Sequence, residues 1–414
     1  MSTTKDNHKT LLTILFTTII LERIVFYGFK STMIIFLVGS EESGGLGLSD
    51  EFAYEKLELF VHFIVFVPIL GALLSDFSPS RPITMIIGGI LASASIALFS
   101  LGFTDLYPYI LFSFLLGLAM FELSNYALLA SVYKKQKHKL TAIFTLMYLF
   151  INIGSFLGTL MSGIIGSTIG WVMGYVSIIL IMLIACLIIF SNRNQLHLRA
   201  IEEEEGRASN TFSNSKWIIA FVIVVGLVSS AYFEFILLYI HDELPLLLSS
   251  EFNDEKLLLL IPFFSTVVIS FIGTLILGIL WFRYFPYDFI KIGVGLTLLV
   301  LSGLLLASEF FDGNPDWRIL IMSDTFANLG DILIWPVLYS IIVLCRPKRL
   351  LATSMALLAM LSYATDYLGD EFMASTVTEN SLLIVTFVMA IFAFYIYKKN
   401  IIKLNMMNVN QDKI

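Results

Sequence analysis

The strongest restriction on this chain is a series of apolar runs, each long enough to cross a bilayer. A spanning helix needs about 20 mostly apolar residues. Twelve such runs can be counted, at approximately 10–38, 54–75, 82–103, 107–133, 140–166, 168–192, 216–241, 255–282, 287–307, 317–345, 350–372 and 379–398. The chain is 58% hydrophobic and only 14% charged, whereas about a quarter of a soluble protein is charged. Its mean hydropathy of +0.88 points the same way. The expectation is an all-α integral membrane protein bound to the lipid bilayer.

The basic residues test the count of twelve. An even number of spans puts both termini on one side, taken as the cytoplasm. Of the 25 Lys and Arg, only Lys56, Lys256 and Arg318 then fall outside, and Arg23 and Lys30 lie within the membrane. Every other one faces the cytoplasm, the excess that the positive-inside rule predicts. The expected location is the plasma or inner membrane, multi-pass, with both termini cytoplasmic. The N-terminus is a short polar tail, and the run after it is too long and too charged to be a cleaved signal peptide. Cys186 and Cys345 both fall inside apolar runs, which excludes a disulfide scaffold or a conventional zinc site.

The longest connection, residues 192–215, is polar and holds Glu202-Glu203-Glu204-Glu205. Six spans precede it and six follow. The expected division is an N-terminal six-helix bundle over 1–192, a cytoplasmic linker over 193–215 and a C-terminal six-helix bundle over 216–414. The acidic run fits a solvated linker face, with a regulatory binding tail as the alternative. This layout is similar to that of the twelve-helix major facilitator fold, two six-helix halves with a substrate site between them near the midplane. The loop Gly71-Ala72-Leu73-Leu74-Ser75-Asp76 followed by Arg81 fits that fold too. There an Asp followed by a basic residue can latch the halves electrostatically.

Polar groups inside the spans are the candidate site residues, because an ionisable group at that depth is costly and usually faces a cavity or a partner. Glu22, Arg23 and Lys30 lie in span 1. Glu58 and His62 lie in span 2, Glu122 in span 4, Asn152 in span 5 and Glu234 in span 7. Asp324, Asn328 and Asp331 lie in span 10, and Asp366 in span 11. Glu22, Glu122 and Asp331 fall near mid-membrane, with Glu234 and Asp366 somewhat further out. Arg23, Tyr27 and Lys30 recur at helical spacing and share a face. Asp324, Asn328 and Asp331 do the same. Several have a plainer reading. Asn152 and Asp366 fit helix–helix polar contacts. His62 fits a packed or interfacial histidine, or a partner of Glu58. Asp324 fits a solvated outer interface. For Glu22, Arg23, Glu122, Glu234 and Asp331 the plainer reading is a structural ion pair.

No catalytic constellation stands out, so no enzymatic activity is expected. The Gly-x-x-x-x-Gly-Lys-Ser/Thr loop is missing, so ATP does not drive the protein directly. No cofactor, metal or nucleic acid is implied, and the expected state is a monomer.

Glu22-Arg23-x-x-Phe26-Tyr27-Gly28 resembles the span-1 signature of the proton-dependent oligopeptide transporters, Glu-x-x-Glu-Arg-Phe-x-Tyr-Tyr-Gly. Pro68-Ile69-Leu70-Gly71-Ala72 through Asp76 resembles their span-2 end. Phe144-Thr145, Tyr148, Ile151-Asn152-Ile153-Gly154-Ser155 and Gly170-Trp171 with Gly174-Tyr175 resemble their span 5 to span 6 signature. Phe233-Glu234, Gly330-Asp331 with Pro336, and Pro347-Lys348-Arg349 follow in family order. The chain departs from the pattern at Ile19, where the signature has its first glutamate, and at Glu122, which aligns with a lysine. It departs also at Asp331, where the family has glutamate, at Phe235, where it has glutamine, and at Asp366, where it often has asparagine.

The resemblance implies proton-coupled symport of di- and tripeptides, or peptide-like zwitterionic small molecules, by alternating access. It gives Arg23 the substrate carboxylate, and Asp331 and Asn152 the amine, with Tyr27 and Asn328 also in the substrate site. It gives Lys30 and Glu234 a gating pair, and Glu22, Glu122 and Glu234 proton coupling. Glu122 does not inherit the lysine's role. With the span-1 carboxylate lost and the span-4 charge reversed, Glu122 is placed to pair with Arg23, which leaves one cation fewer for a substrate carboxylate. Two other functions fit the same fold: a proton-antiport exporter of cationic drugs or metabolites, and a receptor or scaffold that has lost transport.

Overall fold

The computed structural model describes residues 2–133, 137–205, 215–251, 268–284, 288–312, 316–345, 350–368, 384–393 and 395. Among these the regular structure is all helix, with no strand. Twelve helices follow in order: α1 (Ser2–Val38), α2 (Asp50–Phe77), α3 (Arg81–Ser100), α4 (Tyr107–Tyr133), α5 (Lys137–Ile169), α6 (Trp171–Glu205), α7 (Ser215–Glu251), α8 (Ile269–Arg283), α9 (Asp288–Asp312), α10 (Trp317–Cys345), α11 (Leu351–Leu368) and α12 (Ile384–Ala393). Among the described residues nine are long and apolar enough to span a bilayer, and α8, α11 and α12 are shorter apolar helices. Each expected run thus carries one helix. The start of the eighth run, 255–267, lies outside the described residues.

The helix limits follow local chemistry. Ser49 caps α2, its hydroxyl accepting from the Phe52 amide at 3.3 Å, with Asp50 and Glu51 in the first turn. Carboxylates there meet the positive end of the helix dipole. Gly170 separates α5 from α6 at φ +128°, a backbone conformation open to glycine. Three helices clearly outrun the expected spans, among them α7, which continues to Glu251. α6 continues to Glu205 through the first part of the expected linker, and α1 begins at Ser2.

The described residues pack as two compact units. The first holds Met1–Leu140, Leu149–Lys216 and Ile342–Tyr363; the second holds Thr141–Tyr148, Trp217–Ile341 and Ala364–Ile414. In the first, α4 packs against α2 and α3, and α6 packs against α1 and α3. An aromatic core ties these helices together. Phe29 of α1 lies 4.3 Å from Phe114 of α4 and 4.9 Å from Phe99 of α3, centroid to centroid, and Tyr175 of α6 closes on Phe36 at 5.0 Å. This core holds α1 in register one to two turns beyond Glu22 and Arg23. The outward faces of α2, α3 and α6 present Phe66, Leu70, Ile83, Ile87, Leu180 and Leu187, as lipid-facing helices do.

Small residues let α5 approach α1. A Cβ on Gly154 would lie 2.5 Å from Arg23 Cβ and 2.7 Å from the Ile20 carbonyl, and one on Gly158 would lie 2.5 Å from the Ile24 carbonyl. With Ser162, which faces Gly28, these form a small-residue stripe at four-residue intervals. The same backbone of α1 carries Arg23, so the stripe positions the guanidinium. In the second unit, Gly278 of α8 lies against Leu146 of α5, and Phe144 stacks on Tyr339 of α10 at 5.7 Å. Gly295 of α9 meets Gly330 of α10, its Cβ position 2.9 Å from the Gly330 carbonyl.

Gly154→Val is expected to destabilise the protein by about 1–3 kcal/mol through overpacking. Thermal unfolding in detergent should register it as a clear fall in Tm. Gly163→Ala, where a new Cβ meets nothing within 4 Å, should leave Tm unchanged.

Candidate functional site

The site begins with a charge problem. Glu22 and Arg23 are 1% and 3% exposed, in the middle of a helix that spans the membrane. Neither can be left alone there, because an unpaired buried charge is costly. Arg23 Nε lies 2.6 Å from Glu22 Oε2, and Nη2 lies 2.8 Å from Glu22 Oε1, a two-pronged contact. Nη2 also lies 2.5 Å from Glu122 Oε2 on α4. The Phe26 ring covers the guanidinium, with Cζ 5.1 Å from its centroid. One guanidinium therefore serves two carboxylates, and by formal charge the cluster has one acidic group more than basic.

The departure at Glu122 accounts for the arrangement. A reversed charge on α4 faces the span-1 arginine and pairs with it. Glu22 and Arg23 are adjacent on one helix, and adjacent residues do not normally face one another. Their long side chains fold back across the helix surface to meet. As a result Arg23 does not act together with Lys30, although Arg23, Tyr27 and Lys30 share a helical spacing. Tyr27 is half-buried and Lys30 is exposed.

Three neighbours of the cluster were not among the sequence candidates. Tyr126, one turn after Glu122, is hydrogen-bonded to it. Asn125 donates to the Thr18 hydroxyl at 2.9 Å and the Leu15 carbonyl at 3.2 Å, pinning α4 to α1. Phe26 supplies the ring above. The turn spacing from Glu122 to Tyr126 is a signal that could have found the first of these; nothing in the spacing points to Asn125.

A cavity of about 40 Å³ opens beside the cluster. Arg23, Phe26, Glu122 and Tyr126 line it with Ile64 and Pro68 of α2 and with Tyr363 of α11. It has room for roughly two or three waters, or a small polar head group. The Glu122 side chain is 22% exposed, against 2% and 4% for Glu22 and Arg23. Glu122 is the member of the trio that reaches open space.

Asn152, from α5 in the same unit, is half-buried and makes no side-chain hydrogen bond among the described residues. The second unit holds the remaining candidates. Asp324 is 3% exposed, which overturns the solvated-interface reading. Asn328 donates from Nδ2 to the Asp324 carbonyl and to its Oδ1, both at 2.8 Å. Ser270 of α8 donates to Asn328 Oδ1 at 3.4 Å. Glu234 on α7 and Asp331 on α10 are half-buried, and both are engaged with other groups. The Asp366 side chain lies outside the described residues. His62 sets Nδ1 2.8 Å from the backbone carbonyl of Glu58, so the contact between these two residues runs through the main chain. Glu58 itself is exposed.

The stretch 71–76, expected as a loop, belongs to α2, and Asp76 in its last turn has a defined role in the first unit. Its carboxylate accepts from the Ala352 amide at 3.0 Å, the Thr353 amide at 2.8 Å and the Thr353 hydroxyl at 2.9 Å. The two amides are orphan donors at the start of α11. An anion buried at a helix N-terminus is favoured by both the hydrogen bonds and the dipole. Arg81 is a weaker partner, its Nη2 at 3.4 Å. The expected latch therefore works mainly through helix amides.

Two outcomes follow from this geometry. Arg23→Gln strands two carboxylates and should cost about 3–5 kcal/mol; adding Glu122→Gln to it should recover a large part of that loss, read as unfolding in detergent. Asp76→Ala should cost about 1–3 kcal/mol by leaving buried amides unpaired, with Asp76→Asn intermediate in the same assay.

Known proteins share both sequence and fold with this chain. The model of the Major Facilitator Superfamily matches residues 16–369. The peptide transporter YePEPT of Yersinia enterocolitica is 31% identical over 157 residues, which are 37% of this chain and 31% of that protein. The match thus spans less than a third of that relative's length. A solved peptide transporter POT in complex with sulfate superposes with TM-score 0.58 at 17% identity, covering 93% of this chain and 92% of that one. The proton:xylose symporter XylE superposes with TM-score 0.64 at 15% identity, covering 95% of both chains. Among the described residues the helix count and order are those of this twelve-helix fold, with two six-helix halves. The chain is a multi-pass membrane protein of a transporter family, not of an enzyme family, and it belongs to the Major Facilitator Superfamily.

Proposed function

We propose that this chain is a secondary active transporter that moves peptide-like zwitterionic small molecules together with protons by alternating access. The observation that carries the reading is the buried Glu22–Arg23–Glu122 cluster beside a cavity, in a chain whose curated relative is named a peptide transporter. An ionisable residue inside the membrane is by default a candidate functional residue, and this network borders open space.

In this reading Arg23 receives the substrate carboxylate once it is released from its own carboxylates. Asp331, Asn152, Asn328 and Tyr27 hold the rest of the substrate. Glu22, Glu122 and Glu234 exchange protons, and Lys30 with Glu234 forms a gate. Coupling arises because proton, substrate and ion pair compete for the same groups. A ligand shifts a conformational equilibrium only by its differential affinity for the two states, and breaking or remaking the Arg23 contacts supplies that difference. The chain divides into six-helix bundles over 1–192 and 216–414 joined by a cytoplasmic linker over 193–215. It sits in the inner membrane as a monomer with both termini cytoplasmic.

The surplus negative charge of the cluster favours a second reading, proton antiport of a cationic drug or metabolite. Reconstituted protein separates the two. With an inward proton gradient, symport should accumulate labelled dialanine, whereas antiport should expel a lipophilic cation. Glu22→Gln, Glu122→Gln and Glu234→Gln should each be compared. At least one should abolish gradient-driven accumulation while sparing counterflow exchange; if all three still concentrate substrate, proton coupling through these residues is wrong.

A further inference from the structure

We infer that Glu122 is an ammonium-binding subsite, so that cargo is selected by its amine and the cargo carboxylate is dispensable. This rests on the transporter reading above and specifies its cargo class. Glu22 uses both carboxylate oxygens on Arg23 and is sealed from the cavity. Arg23 is engaged by both glutamates and covered by Phe26. An incoming anion would therefore meet a guanidinium already shared by two carboxylates. An incoming ammonium meets Glu122, the one carboxylate of the cluster that lines the cavity and its most exposed member, and the rings of Phe26, Tyr126 and Tyr363 beside it. A carboxylate flanked by aromatic faces is the environment that alkylammonium groups prefer.

Charge balance leads to the same occupant. The cluster is one positive charge short, and an uncompensated charge in the membrane interior is strongly disfavoured. A ligand cation entering the cavity would supply the missing charge at Glu122, the carboxylate that lines it. The charged and titratable groups facing Glu122 are Glu22 and Arg23 of α1, Tyr126 of α4 and Tyr363 of α11; α2 contributes Ile64 and Pro68. Space fits as well: a cavity of about 40 Å³ admits a head group rather than a whole peptide.

The test is equilibrium binding to the full-length protein in lipid nanodiscs, using matched probes of opposite charge. Benzylamine is set against benzoate, and alanyl-alanine amide against N-acetyl-alanyl-alanine. The amines should bind at least about tenfold more tightly than the matched anions. Glu122→Gln should lose the discrimination, and Glu122→Asp should keep it. Anions binding as well as amines, no amine binding, or discrimination retained in Glu122→Gln each overturns the inference. If Glu122→Gln does not fold, the wild-type probe pairs and the Asp variant decide. Dipeptide uptake fails independently of this test. Benzylamine selectivity that requires Glu122, in a protein that moves no dipeptide, keeps the subsite and removes the peptide reading. Dipeptide uptake competed equally by the amide and the N-acetyl form does the reverse.

Discussion

One guanidinium shared by two carboxylates inside the membrane is the constraint on which the first unit depends. Burying charge in hydrocarbon is tolerated only when pairing is close and complete. Meeting that condition requires α1 and α4 to hold Arg23 and Glu122 in contact within a narrow tolerance. The surrounding packing supplies it. Asn125 ties α4 to α1 near Thr18, the Phe29–Phe114 contact ties them beyond the cluster, and Gly154 lets α5 close over the Arg23 backbone. The small residues and aromatic rings around the cluster are thus part of its electrostatics.

The two polar features of the first unit are built on different principles. At Asp76 the carboxylate is satisfied by backbone amides of α11, donors that are fixed by the helix and cannot be titrated away. At Glu122 the carboxylate is satisfied by a side chain that already serves another carboxylate. The first arrangement suits a fixed structural joint in the conformation described. The second leaves a charge surplus that a proton or a ligand can remove. Low dielectric raises the stakes at Asp76, because a lost partner there is not replaced by water.

The sequence read well where one physical quantity dominates. Long apolar runs have few alternatives in a bilayer, so the helices fall where hydropathy puts them. Hydropathy says nothing about where a helix stops once it leaves the membrane. That is why α6 runs on to Glu205: the stretch beyond the apolar run is made of good helix formers such as Gln195, Leu196, Leu198, Arg199, Ala200 and Glu202. The Arg23–Glu122 contact was also legible, because a reversed charge opposite an arginine has one economical partner. The Glu22–Arg23 contact was not, since facing rules built on helical spacing treat adjacent residues as divergent. Asp324 was misjudged for a related reason. Its position near a helix end suggested solvent, yet its burial is decided by what packs over that end, and Asn328 one turn later provides the hydrogen bond that makes burial tolerable.

Specificity in such a site follows from which member of the cluster is left open. If Glu22 were the exposed carboxylate and Glu122 the sealed one, the charge count would be unchanged, but an incoming group would meet α1 rather than α4. The contact would then move with a different helix during transport. In the proposed transporter, placing the open carboxylate on α4, with Tyr126 one turn away and Phe26 lining the same cavity, would assign recognition to one helix and charge storage to the other. A ligand drawing Glu122 away from Arg23 leaves the Glu22 pair intact. The buried charge on α1 therefore stays compensated while the α4 contact breaks, so a rearrangement between the two helices can proceed without exposing an unpaired arginine to lipid.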